Sequence, residues 1–215
     1  MNRHAIPDID LRQQLAARGL ECHLLVAAMP HDPDQPFPTL LCAELQQLLA
    51  LAYPGKTVTA EHFRYETWAI VLSSSTDHHG LVACTTLTFA FDLPSYFHTH
   101  FEAVLPSLQR TGLGRLLYAC TEVWARFLIL NDPLVLDGIV RSDGHYCLAS
   151  AIDRDEDDCD EEDGDRGDNR HGHGAFLRKL GFVRAQHDFG QDTDSEIAFQ
   201  REFQVPVITA IASDV

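Results

Sequence analysis

The segment from Val104 to Arg115 has the composition of an anion-binding turn. It reads V-L-P-S-L-Q-R-T-G-L-G-R and stands between an extended run and the strongest helical pattern of the chain. The first N–H groups of a helix point outward and carry about half a positive charge, and glycine lets a phosphate approach the main chain. Arg110 and Arg115 add positive charge. Two glycines at this spacing also suit an ordinary tight turn, so phosphate binding is a hypothesis at this point.

This segment resembles the coenzyme A motif of the GNAT superfamily of N-acetyltransferases, V-x-P-x-x-(Q/R)-x-x-G-x-(G/A) followed by a helix, and every defined position matches. Residues 175–182, A-F-L-R-K-L-G-F, are similar to the family's later helix with its Gly-Phe ending. The resemblance covers about residues 20–203. It implies a mixed α/β fold, the GNAT fold, with a central, mixed, splayed β-sheet of about seven strands flanked by helices.

The resemblance also implies that acetyl-CoA, or another acyl-CoA, is the co-substrate and that no metal takes part. Main-chain groups of the loop would hold the pyrophosphate, and the end of the preceding strand would pair with the pantetheine amides. Family members pass the acyl group directly from the thioester to a primary amine, so no nucleophilic cysteine is required. The implied cofactor-binding residues are Val104, Leu105, Gln109, Arg110, Thr111, Gly112, Leu113, Gly114 and Arg115.

A proton acceptor is expected on the strand before this loop. A primary amine with a pKa near 10.4 is mostly protonated at pH 7, and freeing its lone pair costs roughly 4 to 5 kcal/mol. His98 falls where some family members carry a general-base glutamate, and an imidazole suits proton acceptance at neutral pH. His100 and Glu102 share its face if the strand alternates regularly, which makes Glu102 the second candidate. His98 with His100 is also a weak metal pair, with no third ligand specified.

The proton donor for the departing thiolate is the least defined part of the site. Leu177 stands where many family members have a tyrosine that protonates the thiolate. Tyr146 is the candidate replacement, reaching the sulfur from a loop, and solvent is the alternative because a thiol of pKa near 8.5 is a tolerable leaving group. The predicted catalytic residues are therefore His98, Glu102 and Tyr146.

Two other functions compete with acyl transfer. The absent tyrosine is compatible with a catalytically degenerate domain that binds acyl-CoA as a sensor or scaffold. A dinucleotide-binding oxidoreductase built on Gly112 and Gly114 is disfavoured, because Leu117 replaces the third glycine of that fingerprint and no acidic ribose ligand follows at the expected distance.

Hydrophobic periodicity predicts the elements that position this site. Helices are expected at residues 8–18, 39–52, 112–130 and 173–180, with a very short one at 59–64. Extended runs are expected at residues 21–29, at 98–105, and in hairpins at 66–73 with 81–92 and 182–189 with 195–203. A short buried strand at 134–140 would follow the long helix and lie parallel to the strand before it.

One domain is expected, at residues 20–203, with an N-terminal extension at 1–19 and a tail at 204–215. Residues 153–168 hold eleven acids against two arginines, and the wider segment at about 143–170 is predicted to be a mobile insertion for lack of apolar residues. Its glycines do not follow the carboxylate spacing of a calcium loop.

The bulk composition excludes several partners. The net charge is −16, so a nucleic-acid backbone is disfavoured, while a cationic amine acceptor is compatible. No apolar run is long enough for a membrane span and no signal peptide is evident, so a cytoplasmic protein is expected, as a monomer or a homodimer. The six scattered cysteines are expected to be reduced, with Cys42, Cys84 and Cys120 as apolar fillers.

Overall fold

The computed structural model describes residues 4–26, 39–63, 66–75, 80–90, 96–131, 145–153, 173–185 and 196–205. The α-helices are α1 Ile9–Ala16, α2 Thr39–Ala52, α3 Leu113–Asn131 and α4 His173–Lys179, with short 3₁₀ helices at Ala60–Phe63 and Pro106–Leu108. The strands are β1 His4–Ala5, β2 Leu20–Val26, β3 Trp68–Ser74, β4 Leu81–Ala90, β5 Tyr96–Thr99, β6 Ala103–Val104, β7 His145–Asp153, β8 Val183–Arg184 and β9 Glu196–Gln204. The chain therefore mixes helices and strands, with β3 to β6 following one another without a helix between them.

The strands form one mixed sheet. Their order is β1-β2-β3-β4-β5-β7-β9-β8, with β6 also paired to β4. β5 and β7 run parallel, and the other described pairs are antiparallel. The parallel ladder ends at Thr99 and Ser150, whereas β7 remains paired with β9 as far as Asp153. The chain after Thr99 therefore leaves β7, which opens the gap of the predicted splayed sheet.

Helices cover both faces of the sheet. α2 packs on one face, here the α2 face, in a cluster with Ala69, Val71 and Cys84. α1, α3 and α4 pack on the opposite face, the α3 face, in the larger cluster that holds Ile70 and Leu72. Apolar residues on both faces account for the nearly continuous apolar run of β3, whose first six residues are all buried.

Local sequence signals explain the helix ends. Asp8 is the N-cap of α1, and its carboxylate accepts a hydrogen bond of 2.8 Å from the Leu11 amide. Gly19 and Gly181 have φ values of 65° and 85° after α1 and α4, in the left-handed region where glycine ends a helix without strain. Among the described helices, none is both long and apolar enough to span a membrane.

The sequence-based assignment of the segment after α3 was partly wrong. Residues 145–153, predicted to belong to the acidic insertion, form β7, a central strand whose residues Tyr146 to Ser150 are all buried. The error arose because a strand that is buried on both faces lacks alternation and runs directly into acids. The strand predicted at 134–140 and residues 143–144 and 154–170 of the predicted insertion lie outside the described residues.

Candidate acyl-CoA site

The predicted anion-binding loop joins β6 to α3. After the 3₁₀ turn Pro106–Leu108, Arg110 and Gly112 have φ values of 63° and 84°. A left-handed conformation costs a residue with a side chain about 1 kcal/mol or more, and Gly112 avoids that cost. The Leu116 amide makes the first helical hydrogen bond to the Gly112 carbonyl, at 3.2 Å. The preceding amides of α3 therefore point out of the helix, as anion binding requires.

Side chains add positive charge around this helix end. Arg18, which follows α1, donates a hydrogen bond of 3.2 Å to the Thr111 carbonyl and lies beside Gly112, where an added Cβ would be 3.9 Å from its guanidinium. Arg110 and Arg115 are exposed. Arg18 thus contributes a cation to a loop more than ninety residues further along the chain.

The second glycine of the motif serves packing. A Cβ on Gly114 would lie 3.0 Å from Cζ of Phe176, on α4. Few real Cβ contacts are that short, so a side chain here would require the Phe176 ring to shift. The two motif glycines therefore have different physical roles.

The end of the strand before the loop faces the gap. Leu105 donates its amide to the Val82 carbonyl at 2.9 Å, which makes this a hydrogen-bonded pair of the antiparallel ladder. Hydrogen-bonded and non-hydrogen-bonded pairs alternate, so Val104, opposite Ala83, points its N–H and C=O away from β4 and toward the gap. The Gln109 side chain donates to the same Val104 carbonyl at 3.2 Å. Val104 is thus oriented as pairing with an extended amide chain would require.

A β-bulge separates β5 from β6. Leu87 pairs with Thr99, but Cys84 pairs with Ala103, so four steps on one strand match three on the other. Thr86 holds the bulge by accepting from the His100 amide at 3.2 Å through its carbonyl and from the Phe101 amide at 3.1 Å through its hydroxyl. The extended run predicted at 98–105 is therefore interrupted at 100–102.

The bulge changes which predicted residues share a face. His98 pairs with Thr88 and Ala149 on the α2 face. The Glu102 carboxylate lies on the α3 face, where it bonds to Tyr118 of α3. The prediction that Glu102 shares a face with His98 was wrong, because the extra residue breaks the alternation on which it rested.

On the α3 face, Glu102 belongs to a buried polar cluster. Its carboxylate accepts hydrogen bonds from the Tyr118 hydroxyl and, at 3.4 Å, from the Ser150 hydroxyl. These three residues are 7%, 4% and 2% exposed. Burial, followed by the neighbouring Glu102 charge, raises the pKa of Tyr118 well above its usual value, so the phenol stays protonated. We call these three residues the Glu102 cluster.

On the α2 face, two histidines and a carboxylate form a second group, the His100 cluster. His100 lies on the bulge, and its Nδ1 is within hydrogen-bonding distance of the Glu66 carboxylate. The His98 and His100 rings are 3.9 Å apart between centroids, edge to face. Burial, followed by the charge of His100, lowers the pKa of His98 to about 2. His98 is therefore neutral at physiological pH.

Tyr146 and Leu177 lie apart from the gap. Tyr146 is in β7 rather than in a loop, is 2% exposed and stacks on Phe203. It stands four residues before Ser150, roughly 13 Å along the strand from the point where the gap opens. This position counts against proton transfer from Tyr146 to a thiolate. Leu177 is fully buried in the core of the α3 face.

Several residues at the site escaped sequence analysis. Glu66 precedes β3, Tyr118 lies on α3, and Arg18 follows α1. Their partners are His100, Glu102 and Thr111, and each partner lies in a different segment of the chain. Tyr53, just after α2, also reaches the bulge, where its hydroxyl donates to the Glu102 carbonyl at 2.5 Å. The only sequence signal for Tyr118 is that it places a polar group within the apolar pattern of α3. Cys120 and Thr121 follow it and do the same, so three positions share this signal.

Cysteine and metal chemistry find little support at this site. Cys84 is fully buried, and burial raises the pKa of its thiol to about 12, so it is not a nucleophile at neutral pH. In the stretches that the structure describes, no three His, Cys, Asp or Glu side chains come together as metal binding requires.

No protein-family model and no curated protein sequence matches the chain. Solved structures similar to it include the ribosomal-protein-S18-alanine N-acetyltransferase from Escherichia coli, at 12% identity and a TM-score of 0.51, covering 81% of this chain and 96% of that one. A GNAT family acetyltransferase from Elizabethkingia anophelis with acetyl-CoA bound is 14% identical, with a TM-score of 0.48, and the match covers 86% of this chain and 99% of that one. Naa50 from Arabidopsis thaliana, in complex with a bisubstrate analogue, is 9% identical, with a TM-score of 0.49, and the match covers 86% of this chain and 99% of that one. The chain has the fold of the GNAT acetyltransferases.

Proposed function

We propose that this protein transfers an acyl group, most simply acetyl, from an acyl-CoA to a primary amine. The observation that carries the proposal is the placement of the loop at residues 109–115. An outward-facing helix N-terminus, a left-handed Gly112 and nearby arginines stand at the end of the strand that borders the gap. This combination suits a pyrophosphate followed by an extended amide chain.

The two faces of the sheet suggest where each substrate lies. α3 and its N-terminal loop belong to the α3 face, so the nucleotide end of acyl-CoA would lie there, with the pantetheine beside Val104. An amine must approach the thioester carbonyl from a side that the cofactor leaves open. We therefore place the acceptor on the α2 face, next to the His100 cluster.

The reaction needs no covalent enzyme intermediate. A deprotonated amine attacks the thioester carbonyl carbon, a C–N bond forms, and the C–S bond then breaks. The ammonium form of the acceptor gives up two protons in all, of which one ends on the coenzyme A sulfur and the other in solvent. The negative charge of the chain, −16 in total, favours cationic acceptors such as amines.

Cofactor binding is tested by calorimetry with acetyl-CoA. Gly112→Asp adds a side chain at positive φ and a negative charge beside the phosphates, and it should weaken binding at least a hundredfold. Gly55→Asp is the matched control, because Gly55 also has a positive φ, of 95°, with nothing within 4 Å of an added Cβ. Equal affinities of both variants and the wild type would remove the site from this loop.

Transfer itself is tested by thiol release from acetyl-CoA with a panel of amines, checked by a mass gain of one acetyl group. A sensor or scaffold is the second candidate, and the buried Leu177 in place of a proton donor favours it. A sensor would bind acetyl-CoA and release no thiol above background with any amine.

A further inference from the structure

We propose that His100, oriented by Glu66, accepts the proton of the acceptor amine, and that His98 supports its ring without taking a proton. This inference rests on the proposed acyl transfer and names the residue that would act on the amine at the same site. It moves the role of general base from the two residues that the sequence favours, His98 and Glu102, to one that sequence analysis treated only as a neighbour.

The first reason is the orientation of the His100 ring. Nδ1 contacts the Glu66 carboxylate, which is 2% exposed on its side chain, and the Thr88 hydroxyl donates to the other carboxylate oxygen at 3.4 Å. A carboxylate fixed in this way selects the tautomer with the proton on Nδ1. Nε2 then carries the free lone pair, and this tautomer is the one that can accept a proton there.

The second reason is access. His100 is the first residue beyond the parallel ladder of β5 and β7, so it stands where the gap opens. Its side chain is 28% exposed, whereas His98 is 5% exposed and Glu102 is 7% exposed. A general base must meet the substrate and later release the proton that it has taken. In this edge-to-face pair of histidines, His100 alone combines both properties.

The third reason is the cost of protonating the alternatives. His98 has a pKa lowered to about 2, so an ammonium group of pKa near 10.4 would transfer a proton to it against a large free-energy difference. Glu102 lies on the opposite face and already accepts from Tyr118 and Ser150. Neither residue is placed to serve an amine on the α2 face.

Among the described residues, the titratable groups near His100 come from three elements. Glu66 faces it from the segment before β3, and His98 faces it from β5. Phe101 lies between it and His62 of the first 3₁₀ helix, with ring centroids 6.4 Å from each. Glu66, the carboxylate of the His100 cluster, stabilises the imidazolium that forms when Nε2 takes the proton.

The protons balance along this route. His100 Nε2 takes one proton from the ammonium group, which frees the nitrogen lone pair to attack the thioester carbon. The adduct loses its second N–H proton to water as the C–S bond breaks. The proton on His100 passes to the released thiolate, directly or through water, which regenerates the neutral imidazole. No oxidant or further reactant is required.

The experiment compares His100→Ala with a matched control across pH. His23→Ala is the control, because His23 and Glu21 form a second imidazole and carboxylate pair, at 3.2 Å, on β2. At pH 7, His100→Ala should lower kcat at least tenfold while the acetyl-CoA dissociation constant stays within about twofold. The deficit should shrink toward pH 10, where the free amine no longer needs a base. His23→Ala should match the wild type throughout.

Glu66→Gln tests the orienting role. It should lower kcat about three- to tenfold, and adding it to His100→Ala should lower kcat no further, because Glu66 would act only through His100. Urea unfolding establishes that each variant is folded. A folded His100→Ala with near-wild-type kcat at pH 7 would overturn the inference and leave acyl transfer standing. A wild-type protein that binds acetyl-CoA and acetylates no amine would overturn both.

Discussion

The Glu102 cluster and the His100 cluster each pair a buried carboxylate with an aromatic or imidazole partner, on opposite faces of the same bulge. In the Glu102 cluster every member is buried, at 7%, 4% and 2% exposure. In the His100 cluster the carboxylate is equally buried, but the imidazole side chain is 28% exposed. A sealed cluster can exchange protons with nothing outside it, so its hydrogen bonds act on stability. The open imidazole keeps a route to solvent, which is what proton transfer in turnover requires.

Truncating the two carboxylates should separate these roles most strongly. Glu102→Ala leaves the buried Tyr118 hydroxyl without its acceptor and opens a small cavity, so the free energy of unfolding should fall by about 3 kcal/mol. Glu66→Ala should cost only about 1 kcal/mol, because His100 can turn to water. Urea unfolding at pH 7 measures both losses. Equal losses would show that exposure does not distinguish the two clusters.

The pH dependence of unfolding tests how well His98 is sealed. Its pKa is about 2 in the folded protein and near 6.5 when unfolded, so between these values the unfolded chain binds the extra proton. Stability from this group is complete above pH 6.5 and is lost as the pH falls, by about 2 kcal/mol at pH 5. The drop in unfolding free energy from pH 7 to pH 5 should therefore be smaller by that amount in His98→Gln. An equal drop in both proteins would mean that water reaches His98.

Tyr118→Phe tests whether the Glu102 cluster has any chemical role. It removes one buried hydrogen bond, so we expect a loss of about 1 kcal/mol in the free energy of unfolding. Turnover should stay within about threefold of the wild type in the thiol-release assay. A folded variant that loses a hundredfold in kcat would instead identify the Tyr118 hydroxyl as the proton donor to the thiolate.

The acidic segment should have the smallest effect. Replacing residues 154–168 with a Gly-Ser linker of equal length removes ten acids and two arginines. Charges beyond a Debye length of about 8 Å at physiological salt are largely screened, so the acetyl-CoA dissociation constant should stay within about threefold. Calorimetry at low and physiological ionic strength checks this. A tenfold change at physiological salt would mean that the segment lies against the cofactor.

The elements that could be predicted best are those with a long periodic pattern of apolar residues. The apolar stripe of α3 predicted a helix at 112–130, and the structure has Leu113–Asn131. The loop that precedes it was located from the types and spacing of its own residues. The aromatic and β-branched runs of β3 and β4 likewise predicted a hairpin that the structure confirms.

The catalytic candidates could not be placed in the same way. A β-bulge has no signature in the alternation of residue types, so His98 and Glu102 were predicted on one face and lie on two. Glu66 and Arg18 reach the site only through tertiary packing, at sequence separations of 34 and 93 residues from their partners. A single sequence contains no pattern that records such contacts.

The extra residue at 100–102 shifts the alternation of side chains between the two faces of the sheet by one position. Upstream of it, even-numbered positions such as His98 face α2; downstream, the odd-numbered Ala103 faces α2. Losing one residue there would turn the side chains leading to Val104 to the opposite faces. It would also turn the backbone N–H and C=O of Val104 away from the gap, unless the loop compensated for the shift. Length at this point is therefore a stricter requirement than residue identity. When variants of this strand are selected for activity, those with a single-codon deletion at 100–102 should disappear earlier than most variants with a substitution there.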